Sequence, residues 1–281
     1  MKLYKKFLQI KRTLPLHRFF SDFLFEMRNF YNKVYRSFLP EFKVFKVRDM
    51  QAKFSLEKAS AFGDFRSDFK FESPILEELL EEIKEGDVFY DIGANIGLYS
   101  CFVCKKYPSV KTFAFEPNKF LFEDLKNNLK VNGAENAEII NYALSDEDSE
   151  GKLIFPDRRF SSVAYIDSDE KNREYGLNVE RKKGDQIAGR DLPLPTVLKI
   201  DVEGHELEAV KGLAETLNKD RCRLVYCEIH KDLDYGLDER HGLDRSEIEE
   251  LKGIFKDSGF DLTSKEISTM GHSRKFLKAT K

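Results

Sequence analysis

The sequence predicts a doubly wound, mostly parallel α/β sheet that ends on an antiparallel strand and carries an N-terminal helical arm. Three observations lead there. From about residue 73, short apolar runs alternate with amphipathic helical stretches, the rhythm of a parallel sheet covered on both faces. A glycine turn, Gly93 to Gly97, follows the first of these runs, where open α/β sheets bind ligands. The last two runs follow one another with no room for a crossover helix, which makes that pair antiparallel.

In order along the chain, Met1 to Leu39 mixes Lys and Arg with an unusual density of aromatic residues at largely helical spacing, and Pro15 separates an early helix from a later one. The arm either packs its aromatics on the main domain or lays residues 1–40 on an anionic membrane surface. Alternating Phe42, Val44, Phe45 and Val47 predict an extended segment that pairs with Lys53–Leu56. Ser73 and Pro74 open a helix through Ile83, with Ser73 as N-cap. Strands follow at Val88–Ile92, Thr112–Phe115 and Ala137–Tyr142, with helices at Ile96–Lys106 and Lys119–Val131. A charged insertion, about residues 146–194, holds short strand-like pieces (Leu153–Phe155, Val163–Tyr165). The rhythm resumes with the strand Thr196–Ile200, the helix Glu206–Leu217, the strand Leu224–Ile229, the helix Ser246–Ser258 and the closing strands Phe260–Ile267 and Arg274–Ala279. The expected organisation is an arm with short strands over 1–70 and a main domain over 71–281.

Composition narrows the function classes. With 281 residues, 41% hydrophobic and 35% charged, the chain has enough apolar content for a core and fits no fibrous or wholly disordered class. No stretch of about 18 apolar residues is present. Four cysteines, Cys101, Cys104, Cys222 and Cys227, are too few for a disulfide framework, which with the lack of a recognisable leader predicts a cytoplasmic protein, peripheral at the membrane if the arm binds lipid. Residues 1–50 carry 12 Lys and Arg against 4 Asp and Glu, while the rest carry 35 against 46. An acidic body disfavours a nucleic-acid partner.

The turn after the first main strand reads Asp91-Ile-Gly93-Ala94-Asn95-Ile-Gly97. Pyrophosphate binding wants Gly-x-Gly-x-x-Gly, and the middle glycine is missing here. An acid before the turn repels pyrophosphate and suits a cofactor carrying an ammonium and a sulfonium, which points to S-adenosyl-L-methionine over NAD. Glu116, at the end of the second strand, is placed to accept hydrogen bonds from ribose hydroxyls. Asp146 or a backbone group near Ala143 is the candidate for the adenine amine. The expected cofactor set is thus Asp91, Gly93, Ala94, Asn95, Gly97, Glu116, Ala143 and Asp146.

Taken together, Asp91-x-Gly93-Ala94-Asn95-x-Gly97-x-Tyr99-Ser100, Phe115-Glu116-Pro117, Asn127-Asn128-x-x-x-Asn132-Gly133, Ala143-Leu144-Ser145-Asp146, Leu198-Lys199-Ile200-Asp201-Val202-Glu203-Gly204-His205-Glu206 and Glu228-Ile229-His230 make the chain resemble the FkbM-type methyltransferases. The resemblance spans about Gly86 to His230. It implies a class I, Rossmann-like methyltransferase fold and transfer of a methyl group from S-adenosylmethionine, chiefly O-methylation of hydroxyls on sugars, glycan intermediates or other small molecules. His205 departs from the family pattern, which has a small residue there.

Methyl transfer to a hydroxyl is an in-line displacement that needs alignment and a base. Asp201, Glu203 and His205 follow the fourth strand of the main sheet and Glu228 and His230 end the fifth; strands roughly 4.8 Å apart bring all five toward one cleft. Asp201 or His230 is the expected base, with Glu203 and Glu228 orienting substrate. The same residues have the chemistry to hold a divalent metal, which the sequence leaves open. Glu206 and Glu208 read as first-turn acids favoured by the helix dipole. Cys101-x-x-Cys104 sits inside a helix without a second pair, so zinc is not expected. The competing functions are N-methylation of nucleic acid or protein, an NAD-dependent oxidoreductase, and a scaffold that keeps the fold without chemistry.

Overall fold

The computed structural model describes residues 41–55, 72–154, 165–167, 176–230, 242–269 and 272–281 of the chain. The basic arm, its expected membrane contact and the expected boundary at residue 70 lie outside the described residues.

Strands β1 (Phe42–Val47) and β2 (Met50–Ser55) form the expected pair, with Phe45, Val47, Ala52 and Phe54 buried by the two-residue alternation. The helix α1 (Ser73–Glu82) starts on Pro74 as expected, but Glu72 and not Ser73 occupies its N-cap position. The Ser73 hydroxyl instead lies 3.4 Å from Glu77 Oε1. Next come β3 (Val88–Ile92), α2 (Leu98–Lys106), β4 (Lys111–Phe115) and α3 (Lys119–Val131). Helix α2 begins two residues later than its periodicity predicts, because Gly97 takes a left-handed conformation at φ +88°. The β1–β2 pair is pinned to α3, as the backbone N–H groups of Lys53 and Ser55 donate to Asn132 and Asn128.

The expected strand Ala137–Tyr142 is two strands. β5 (Ala137–Ile140) stays in the main sheet, while β6 (Ala143–Ser145) leaves it and pairs with β9 of the insertion. The insertion builds its own four-stranded sheet, β6-β9-β7-β8, from β7 (Ser149–Ile154), β8 (Tyr165–Asp167) and β9 (Gly176–Lys183). Its polar sequence hid β9, which buries only Val179 and Arg181. After a short helix, α4 (Gly184–Ile187), the chain returns through β10 (Val197–Ile200). The helix expected over Glu206–Leu217 is broken at Leu213 into α5 (Glu206–Gly212) and α6 (Ala214–Leu217). Then follow β11 (Leu224–Ile229), α7 (Arg245–Asp257) and the antiparallel pair β12 (Asp261–Thr269) and β13 (His272–Thr280).

The main sheet has the order β12-β13-β11-β10-β3-β4-β5, parallel except for β13. This is the class I methyltransferase sheet that the sequence predicts. Every residue of β3, β10 and β11 is buried, as strands covered on both faces require. Full burial of side chains such as Phe89, Phe115 and Ile92 contributes roughly 1.5–3 kcal/mol each. The order reverses between β3 and β10, which opens a crevice at their carboxyl ends.

Candidate active site

Two turns meet in that crevice, one after β3 and one after β10. Gly93 lies in the first at φ +77°, and a Cβ there would fall 1.9 Å from the carbonyl oxygen of Asp201 in the second. Only glycine allows so close an approach. Each turn also holds a non-glycine residue in the left-handed region, Asn95 at φ +54° and Glu203 at φ +51°. Such conformations cost about 1–3 kcal/mol and concentrate at functional sites. Between the turns lies an open cleft, walled by Phe115 and Glu116 at the end of β4, Tyr142 to Leu144 at the start of β6, and Leu153 of the insertion.

Of the expected cofactor residues, Gly93, Asn95, Glu116 and Ala143 line this cleft. Glu116 is held at both oxygens, Oε2 accepting from the backbone N–H of Asn95 at 2.8 Å and Oε1 from that of Asn118 at 2.9 Å. Burial pushes its carboxyl up to about 7, against the pull of those two amides. On either side of it, Asn95 Oδ1 and Asn118 Nδ2 are buried without a hydrogen-bond partner among the described residues, and both residues line the cleft. An unmet buried polar atom costs about 1–3 kcal/mol. One acceptor and one donor flanking a carboxylate fit the hydroxyls and amino group of S-adenosylmethionine.

The other expected cofactor residues are not in the lining. Asp91 is fully buried, its Oδ2 accepting from the Ser100 backbone at 3.1 Å and hydroxyl at 2.6 Å. The strand-end acid therefore anchors the first turn of α2. Ala94 is buried, its backbone N–H bound to the Phe115 carbonyl at 2.9 Å. Gly97 serves packing, since a Cβ there would meet Leu125 Cδ1 at 2.6 Å. Asp146 is exposed, its carboxylate 3.2 Å from the Ser145 hydroxyl.

On the opposite wall, Asp201, Glu203 and His205 line the cleft, with His230 and Glu228 behind them. His230 Nδ1 is 2.7 Å from Glu206 Oε1, and its Nε2 is 3.4 Å from both Glu203 Oε2 and Glu228 Oε1 and 3.8 Å from Asp201 Oδ1. Burial opposes a charge on His230, but Glu203, Glu206 and Glu228 outweigh it and hold the imidazolium well above its ordinary range. Burial likewise pushes Glu203 up to about 7, with His230 pulling the other way. Asp201 is kept below the usual carboxylate range: burial would raise it, and Lys199, His230 and Arg274 prevail. His205 is pushed down to about 4 by burial and lies 3.0 Å from the Ser145 hydroxyl, so it is a neutral wall residue.

Sequence reasoning missed four members of this cluster and misassigned a fifth. The Tyr99 hydroxyl donates to Glu72 at 2.6 Å, and Arg274 on β13 reaches Glu72 at 2.7 Å and Glu228 at 3.5 Å. Lys199 donates to the Gly93 carbonyl at 3.1 Å and is 3.0 Å from Asp201 Oδ2. A lysine in the apolar strand Val-Leu-Lys-Ile was a readable signal for it. Glu206, read as a dipole acid, is fully buried and orients His230. Asp201, Glu203 and His230 place ligand atoms within 4.8 Å of one another, the mixed set a divalent cation would use, and such a cation would have to displace the proton that the neighbouring acids favour on His230. All four cysteines are buried and free, with burial raising the Cys104 thiol to about 11.

The family profile described as Methyltransferase FkbM domain matches residues 91–262. The chain belongs to the FkbM methyltransferase family. Two curated relatives agree. Hexuronic acid methyltransferase AglP of Haloferax volcanii is 33% identical over 191 residues, covering 67% of this chain and 74% of that protein. The 31-O-demethyl-FK506 methyltransferase FkbM of Streptomyces tacrolimicus is 31% identical over 186 residues, covering 56% and 70%. Among solved structures, methyltransferase FkbM from Methylobacillus flagellatus KT aligns at TM-score 0.49 and 14% identity, over 72% of this chain and 46% of that one. Among the described residues of this FkbM-family enzyme, no helix is long and apolar enough to cross a membrane.

Proposed function

We propose that this FkbM-family methyltransferase moves the methyl group of S-adenosylmethionine to a hydroxyl of a sugar or glycan intermediate in the cleft between the β3 and β10 turns. The observation that carries the cofactor half is Glu116 between the orphaned Asn95 and Asn118 amides. A relative that acts on a hexuronic acid supports the acceptor half.

When bound, S-adenosylmethionine supplies an electrophilic methyl group on a sulfonium. Glu116 and the side chains of Asn95 and Asn118 hold the nucleoside and amino ends. Glu203 is the base in this reading: it lines the cleft, it sits on a strained backbone, and a carboxyl near 7 is matched to neutral pH. The sequence favours Asp201 or His230 for that role, but Asp201 is paired with Lys199 and His230 already carries its proton. Asp201 accepts from a neighbouring hydroxyl of the sugar and so orients the acceptor, whose own proton goes to Glu203, and His230 stabilises the Glu203 carboxylate from behind. Each cation on this wall is already engaged by an acid, Lys199 by Asp201, His230 by Glu206 and Arg274 by Glu72, which favours a neutral hydroxyl over a carboxylate or a phosphate-bearing nucleic acid.

The test is incubation with labelled S-adenosylmethionine and a panel of hexuronic acid glycosides, with the product treated with mild base. A base-stable methyl ether is the expected product. A base-labile methyl ester, or methylation only of an amine on protein or nucleic acid, would overturn the hydroxyl assignment.

A further inference from the structure

Buried in the sheet beneath both turns, the ammonium of Lys199 has a position that no step above requires. It is 5% exposed. Asp91 and Lys199 are register partners on the adjacent parallel strands β3 and β10. Asp201 follows two residues later and continues the ladder through its N–H to the Ile92 carbonyl at 3.0 Å. The two-residue repeat therefore puts all three side chains on one face. There Lys199 Nζ is 3.1 Å from the Gly93 carbonyl oxygen, 3.0 Å from Asp201 Oδ2 and 3.7 Å from Asp91 Oδ1, with the Tyr99 ring centroid at 5.0 Å. The ammonium is at hydrogen-bond distance from the cofactor turn and the acceptor-side acid, and pairs by charge alone with the anchor of α2, whose Oδ1 has no hydrogen-bond partner among the described residues.

We propose that Lys199 is a positioning residue that ties the seat of the cofactor to the acid facing the acceptor, through the Gly93 carbonyl on one side and the Asp201 carboxylate on the other. This rests on the reading of the cleft given above. Because one side chain holds both turns, a shift of the cofactor turn is felt at Asp201. By occupying Asp201 Oδ2, Lys199 also leaves Oδ1, the oxygen nearer His230, to meet the acceptor. The charges around the pair come from every neighbouring element: Asp91 of β3, Tyr99 of α2, Glu116 after β4, Glu72 before α1, Glu203 in the same turn as Asp201, Glu228 and His230 at the end of β11, and Arg274 of β13. Most of these are acids, so with Lys199 removed the Asp201 carboxyl is left to its burial and to like charges.

The experiment compares wild type with Lys199→Met by two readouts, calorimetric titration with S-adenosylhomocysteine and carbon-13 titration of the aspartate carboxyls, the Asp201 signal being identified by its loss in Asp201→Asn. The expected result is affinity reduced tenfold or more together with an Asp201 titration that moves upward by about two pH units. A folded variant with affinity within twofold of wild type overturns the proposal. So does weaker affinity with the Asp201 titration unmoved, since a mere structural brace would give that result. Because Lys199→Met leaves Asp91 buried without its countercharge, the double variant Asp91→Asn with Lys199→Met is measured against Asp91→Asn alone, with the same criteria. Absence of binding by folded wild type overturns the function reading and this one with it; binding by wild type with an unaffected variant overturns this one alone.

Discussion

His230 Nδ1 lies 2.7 Å from Glu206 Oε1, and that carboxylate oxygen also accepts from the backbone N–H of Gly204 at 3.0 Å. One buried acid therefore fixes both the ring at the end of β11 and the turn that carries Glu203. Glu206→Gln should lower the His230 pKa, read from the imidazole proton shifts, because it removes one of the acids that raise it. A group whose folded pKa is raised stabilises the fold below its unfolded value, about 6.5, and loses that contribution as pH climbs through the folded value. The wild type should thus lose stability in denaturant titrations as pH rises above neutrality, and Glu206→Gln should lose less. A His230 titration unchanged by the substitution would contradict the assignment.

Glu116 gives the cofactor a pH dependence. Its carboxyl sits at about 7, raised chiefly by burial, while ribose hydroxyls donate best to the ionised form. Affinity for S-adenosylhomocysteine should rise about tenfold between pH 5.5 and 8, and Glu116→Gln should flatten that rise. In the free protein the same shift acts with the opposite sense: the folded state holds the proton more tightly, so stability from Glu116 falls as pH rises from about 4.3 toward 7.

Two glycines with the same backbone angle separate crowding from conformation. Gly86 and Gly93 both sit at φ +77°, but a Cβ on Gly86 meets nothing within 4 Å while one on Gly93 collides with the Asp201 carbonyl. Gly86→Ala should cost about 1 kcal/mol, the price of a left-handed alanine. Gly93→Ala should cost about 3 kcal/mol or more in urea unfolding and abolish S-adenosylhomocysteine binding. Equal losses for the two would mean that the turns do not approach as closely as described.

Glu203→Gln tests the base. Loss of a general base lowers turnover by about 100-fold or more, and Glu203 lies on the acceptor wall across from Glu116, so S-adenosylhomocysteine affinity should stay within about threefold. Turnover within fivefold of wild type would return the role to Asp201.

The repeating core was legible because burial imposes a period. β3, α3 and β11 fall on the residues that periodicity marks, and the antiparallel ending follows from the short connection between β12 and β13. β9 was not legible, since a strand that buries two of eight residues shows little alternation. In the site, sequence spacing marked the turns but not the direction of their side chains. Asp91 and Glu116 both end strands, yet only Glu116 reaches the cleft. Arg274 and Glu72 are 202 residues apart in the chain and meet because β13 inserts beside β11, a pairing that no local pattern encodes.

The most direct test of the account is calorimetric titration of the folded protein with S-adenosylhomocysteine, repeated on Glu116→Ala. The account predicts binding to wild type that weakens tenfold or more, about 1.4 kcal/mol, in the variant. A folded wild type that does not bind, or a variant that binds as well as wild type, would contradict it, and the first outcome would favour a scaffold that keeps the fold without the chemistry.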